Sequence, residues 1–259
     1  MTWTNWPFRI VLLGTVLLSG CELLSSPGET TSQQVQVDER LIPDSVLAAY
    51  RQDAAYLAVR TLQTDPVARI NQVELPDTLL DAYLQALLHV YLARSIKARE
   101  AVVERYQIHA HPFPAIHSLA VSPNPNATWA QAWWEGRSLT GNAAVDALMN
   151  AYNLTVENYH EFLNGRRVAA LRTSHALNIE ALALRFEDLA DIGYAEPNGI
   201  VGDGNNIAGN LLPDRVQLTY SFGWGDCPSG CIDRHYWTFE VTSDGLVTLV
   251  EETGSPLSY

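Results

Sequence analysis

Between Arg215 and Trp224 the chain alternates without an exception. Val216, Leu218, Tyr220, Phe222 and Trp224 take the even positions; Arg215, Gln217, Thr219, Ser221 and Gly223 take the odd ones. Successive side chains of a strand point to opposite faces, so this pattern puts every large apolar group on one side of a half-buried β-strand. Residues 236–242 repeat it with Trp237, Phe239 and Val241, and Ser243-Asp244-Gly245 turns the chain into a third strand over 246–251. The sequence therefore predicts an antiparallel meander within residues 210–259. Its aromatic face needs a cover, either from helices or from a preceding sheet.

Helices are expected over residues 41–110. Pro43-Asp44 opens a stripe of Leu47, Tyr50, Ala54 and Leu57, and Pro76-Asp77 opens a stronger one with Leu79, Leu80, Tyr83, Leu84, Leu87, Leu88, Tyr91 and Leu92. A third, over 96–106, ends where the proline-rich segment 109–114 cannot continue it. Residues 116–200 change character. Strands are expected at 116–121, 168–173 and 192–196, and helices at 129–136, 142–152 and from an Asn178 cap through Ile179, Leu182, Phe186 and Leu189. Residues 155–163 fit a strand or a helix; as a strand they pair with 168–173 across Asn164-Gly165, a hairpin signal. The order is then βαββαβ, as in ferredoxin-like folds. The expected class is α+β, with N-terminal helices, a ferredoxin-like segment and a C-terminal antiparallel meander.

At 47% apolar and 17% charged residues the chain can bury a sizeable core, and its formal charge of −13 argues against a nucleic-acid partner. Cys227 and Cys231 in C-P-S-G-C suit a small structural disulfide; a redox pair or a zinc site with His235 and Asp233 is the alternative. Around them Trp224, Asp226, Asp233, Arg234 and His235 gather on one loop and form the candidate binding site, unless the loop only turns between strands with solvated charges. Ser229 lies in the loop, and with His235 and Asp233 or Asp226 gives a hydrolase reading, although no motif sets a nucleophile against a base. His109, His111 and His117 lack an accompanying carboxylate and read as a rigid connector. Gly202-Asp203-Gly204-Asn205-Asn206 lacks the rest of a calcium loop, lacks the Lys and following helix of a phosphate cradle, and reads as a glycine-rich loop. No catalytic residue, metal site or cofactor is assigned.

Near the N-terminus Leu18-Ser19-Gly20-Cys21 follows an apolar-rich run from Ile10 to Leu18, with Arg9 as the only charge before it. The run is too short to span a bilayer and has the form of a cleavable signal. The four residues resemble the lipobox of bacterial lipoproteins. That resemblance implies removal of residues 1–20, lipidation of Cys21 with a fatty acid such as palmitate, and an extracytoplasmic protein anchored in a bacterial membrane. Residues 21–40, rich in Ser, Thr, Pro and Gly, then form a flexible linker. Phe186-Glu187-Asp188-Leu189 and Ile192-Gly193-Tyr194-Ala195-Glu196-Pro197-Asn198 resemble the end of a subtilisin-type propeptide. This implies a ferredoxin-like fold over 140–198 and, as an alternative role, inhibition or folding assistance of a protease. The chain departs from that family in running on past Asn198 and in lacking a downstream serine-protease motif. The expected role is binding or structural, in the cell envelope, with the membrane and an envelope protein or protease as partners.

Overall fold

The computed structural model describes residues 30–257 except Asn164. The signal segment and Cys21 lie outside the described residues. The chain has the α+β architecture expected, built on two antiparallel sheets.

The larger sheet has the order β1-β9-β8-β7-β6. β7 (Arg215–Trp224), β8 (Asp233–Thr242) and β9 (Leu246–Gly254) are the meander. Leu218 pairs with Phe239 and Tyr220 with Trp237, so the alternating groups of both strands fall on one face, and all four are almost fully buried. α1 (Asp44–Leu62) and α3 (Asp77–Leu92) cover that face. Each such side chain contributes about 1.5–3 kcal/mol by leaving water, so this aromatic and leucine layer dominates the larger core. α3 comes close enough that a Cβ at Gly209 would run into the Tyr83 ring. Glycine is what lets helix and sheet meet there.

Two strands of this sheet were not expected. β6 (Asn206–Leu211) pairs with β7 and begins at the end of the glycine-rich segment, so the meander starts before residue 210. β1 (Ser32–Gln34) pairs with β9, Ser32 opposite Thr248, and Val35 just after it is buried. The flexible linker thus cannot extend to residue 40, because residues 31–35 are held by backbone pairing and a 3₁₀ turn follows at Glu39–Leu41. Helix α2 (Pro66–Asn71) was also unforeseen. Asp65 caps it, accepting from Val67 and Ala68 N–H, and Pro66 fills its first position. The third helix starts as α4 (Lys97–Arg99) and widens into a π-helix at Glu100–Arg105.

The smaller sheet has the order β3-β4-β2-β5, every pair antiparallel. β2 (Ser118–Pro123) is followed by α5 (Gln131–Trp134) and α6 (Ala143–Ala151), then by the hairpin of β3 (Thr155–Glu161) and β4 (Arg167–Arg172). α7 (Ile179–Glu187) leads into β5 (Ile192–Pro197). This is the ferredoxin-like strand order, and the ambiguous segment 155–163 is strand. Leu182 and Phe186 on α7 are fully buried beneath it. At the hairpin Gly165 donates to Phe162 O at 2.8 Å and has φ +77°, which places it at the end of the turn and not at its centre. Asn164 lies outside the described residues. Asn178 makes no side-chain cap to α7; its amide is used elsewhere, across the contact between the two halves.

Candidate functional site

The five residues gathered on this loop in the sequence do not share one face of the sheet. Trp224 and His235 lie on the helix-covered side of the sheet: Trp224 stacks on Phe222, and the His235 ring packs on Trp237 at 4.5 Å. The His235 ring nitrogens face Ser255 O at 2.9 Å and Glu252 Oε1 at 3.2 Å. Both neighbours are acceptors, and neither is Asp233, Asp226 or Ser229. Both ring nitrogens are thus engaged by groups other than the loop's serine and aspartates, and the hydrolase pairing is not formed. Asp233 Oδ1 accepts from Ser255 Oγ at 2.8 Å, which fastens the chain beyond β9 to β8. Asp226 is exposed, and its backbone carbonyl accepts from Ser229 N–H.

Arg234 alone of the five turns to the outer face, where it helps line an open groove of about 560 Å³ together with Arg60, His111, Phe113, Asp203, Asn206, Ser221 and Tyr236. Arg234 donates to Gly204 O at 2.7 Å, Ser221 Oγ at 3.0 Å and Asp203 Oδ1 at 2.5 Å. Asp203 also accepts from Cys231 N–H at 3.0 Å and Gly204 N–H at 2.8 Å. The Cys231 amide, the Arg234 guanidinium and the Gly204 amide together hold its carboxyl down to about 2. Cys227 and Cys231 are disulfide-bonded, and Asp203 N–H donates to Cys227 O at 3.2 Å. The glycine-rich loop is thereby docked on the disulfide loop. Gly223 beneath them has no room for a Cβ, which would press on Cys231 Sγ.

The opposite wall is built by Arg60 in the last turn of α1. Its guanidinium donates to Phe113 O, Asn206 Oδ1, Ile207 O and His111 O at 2.6–3.1 Å. All four acceptors are neutral, and burial lowers its pKa, with the Asp53 charge acting against that shift. The connector at 109–114 is thus the lip of the groove, tied down by Arg60. His109 within it binds Asp53, and His117 Nδ1 lies 3.1 Å from His175 O. Among the described residues no three His, Cys, Asp or Glu side chains are placed to hold a metal ion.

The groove offers two guanidiniums, the Tyr236 and Ser221 hydroxyls and one carboxylate already satisfied. Guanidiniums and hydroxyls are the donors that pair with carboxylates and phosphates. Sequence reading missed Arg60 and Asp203. Arg60 carries no local signal beyond being a cation at a helix end, and Asp203 sat in a loop weighed for calcium and for a phosphate cradle and read as neither. On the smaller sheet, Glu196 pairs with Ala120 and Pro197 with Leu119, and Asn198 N–H donates to Ser118 O. This segment lies along β2 and does not protrude. No protein-family model, curated protein or solved structure matches the chain.

Proposed function

We propose that the protein is a lipid-anchored, extracytoplasmic binding protein of a bacterial envelope, attached through Cys21, which receives an anionic group in the groove between Arg60 and Arg234. The observation that carries the binding reading is the imbalance of charge at the groove. Arg234 pairs with Asp203, whereas the Arg60 guanidinium hydrogen-bonds only neutral oxygens and feels the Asp53 charge only through space. A carboxylate or phosphate would supply the missing counter-charge. The Leu18-Ser19-Gly20-Cys21 sequence supports the anchor, and the disulfide suits an oxidising compartment.

Calorimetric titration with inorganic phosphate and with a dicarboxylate tests the groove. Saturable binding of at least one is expected, weakened at least tenfold by Arg60→Gln and several-fold by Tyr236→Phe, which leaves the 109–114 connector tied. If neither anion saturates the wild type, the reading fails. The anchor is tested separately. Labelled fatty acid should enter the wild type and not Cys21→Ser, and Cys21→Ser should leave the membrane fraction.

The ferredoxin-like strand order favours a second reading, inhibition or folding assistance of a subtilisin-type protease through residues 140–198. The paired course of residues 196–198 weighs against it. A direct assay against subtilisin decides; no slowing at micromolar protein removes the idea.

A further inference from the structure

A second cleft, of about 350 Å³, lies where the described chain begins. Thr30 and Thr31 line it beside the π-helix and the far end of β9. Its charged lining is Lys97, Arg105, Glu100 and Glu252. Lys97 is the only lysine in the sequence. The π-helix ends with Tyr106 N–H donating to Ala101 O at 2.9 Å, five residues back, and such windings recur at functional sites. The Tyr106 ring joins the lining, stacked on Phe222 at 4.1 Å with the Arg105 guanidinium 5.3 Å from it, and buried Trp237 forms the floor. Glu252 is fixed by His235 Nε2.

We infer that this cleft binds a zwitterionic phosphoethanolamine headgroup of the membrane in which the protein is anchored. Two cations beside two carboxylates match a ligand carrying both charges better than a simple anion. Lys97 and Arg105 meet the phosphate; Glu100 and Glu252 meet the ammonium. The position argues for the lipid as source. Thr30 at the mouth is separated from Cys21 by a stretch that reaches at most about 30 Å when fully extended, so an anchored chain keeps the cleft near the headgroups. This source rests on the lipid-anchor reading; the chemistry of the cleft does not.

The experiment uses the full chain in detergent with Arg60→Gln present throughout, so that the groove of the proposed function does not contribute, titrated with glycerophosphoethanolamine, glycerol phosphate and ethanolamine. The first should bind saturably and each of the other two at least tenfold more weakly. Lys97→Met and Glu252→Gln, each added to that background, should weaken the first at least tenfold. Glycerol phosphate binding as tightly would make the cleft a plain anion site and overturn the proposal, as would the absence of saturable binding. In vesicles, amide exchange over residues 100–106 should be several-fold slower with phosphatidylethanolamine than with phosphatidylglycerol alone. Equal exchange overturns the lipid as source. Because the soluble probe needs no anchor, loss of fatty-acid labelling at Cys21 and loss of probe binding are separate results.

Discussion

Asp53 is a carboxylate only 3% exposed inside the larger core, and it is kept there by two donors, His109 Nδ1 at 2.7 Å and Ala110 N–H at 2.8 Å. A buried charge needs such partners, since leaving it unpaired costs several kcal/mol. The Asp53 hydrogen bond in turn raises the His109 pKa above its ordinary value, against the opposing effect of burial. A base whose pKa is raised on folding adds stability that is complete below its unfolded value of about 6.5 and is lost as pH rises through the folded value. Urea unfolding should therefore show the wild type losing about 1 kcal/mol between pH 6 and pH 9, the figure reduced because His109 is half exposed. His109→Gln should be less stable than the wild type at pH 6 and close to it at pH 9. Parallel curves for the two proteins across this range would show that the ion pair is not the source.

At the scale of elements, periodicity decided what could be read. β7 and β8 bury one face against helices, and that burial writes alternation into the sequence; α3 and α7 write a helical stripe for the same reason. β1 is an edge strand of Ser and Gln that pairs through its backbone, and β6 carries Gly and Asn, so neither leaves a comparable trace. The candidate site shows the same physics at finer grain. Arg234 and His235 are neighbours in the sequence, and a strand sends neighbours to opposite faces, so a cluster in the sequence became two environments in space. The disulfide loop belongs to this scale as well. Replacing Cys227 and Cys231 by serine opens a very small ring and should cost about 2 kcal/mol or less in thermal or urea unfolding. Anion binding in the groove should fall by more than stability does, because Asp203, and through it Arg234, is positioned by the Cys231 amide. Unchanged phosphate affinity in the double serine variant would separate the loop from the groove.

At the scale of the whole molecule there are two apolar cores, one under the five-stranded sheet and one under the ferredoxin-like sheet. They are joined where α2 meets α7, and the joint is largely polar. Arg69 bridges Glu180 at 2.7 Å, Arg185 donates to Asn71 O, and Asn178 donates its side-chain amide to Arg69 O at 2.8 Å and Gln72 O at 2.9 Å while its N–H reaches Val73 O. The Arg69 pair is exposed on one side and adds little. Asn178 is fully buried, so its two amide bonds cannot be replaced by water, and truncation strands two carbonyls. Asn178→Ala is therefore expected to cost about 2–3 kcal/mol while leaving the apolar contacts of both cores in place. The loss should appear as uncoupling: hydrogen exchange followed by peptide should show amides in residues 116–198 opening with a lower free energy than those in β7 and β8, whereas the wild type opens the two halves together. If the variant still unfolds in one transition at the wild-type midpoint, with both halves equally protected, the joint does not depend on Asn178, and the packing of Val73 and Leu177 into the smaller core would have to hold the halves together instead.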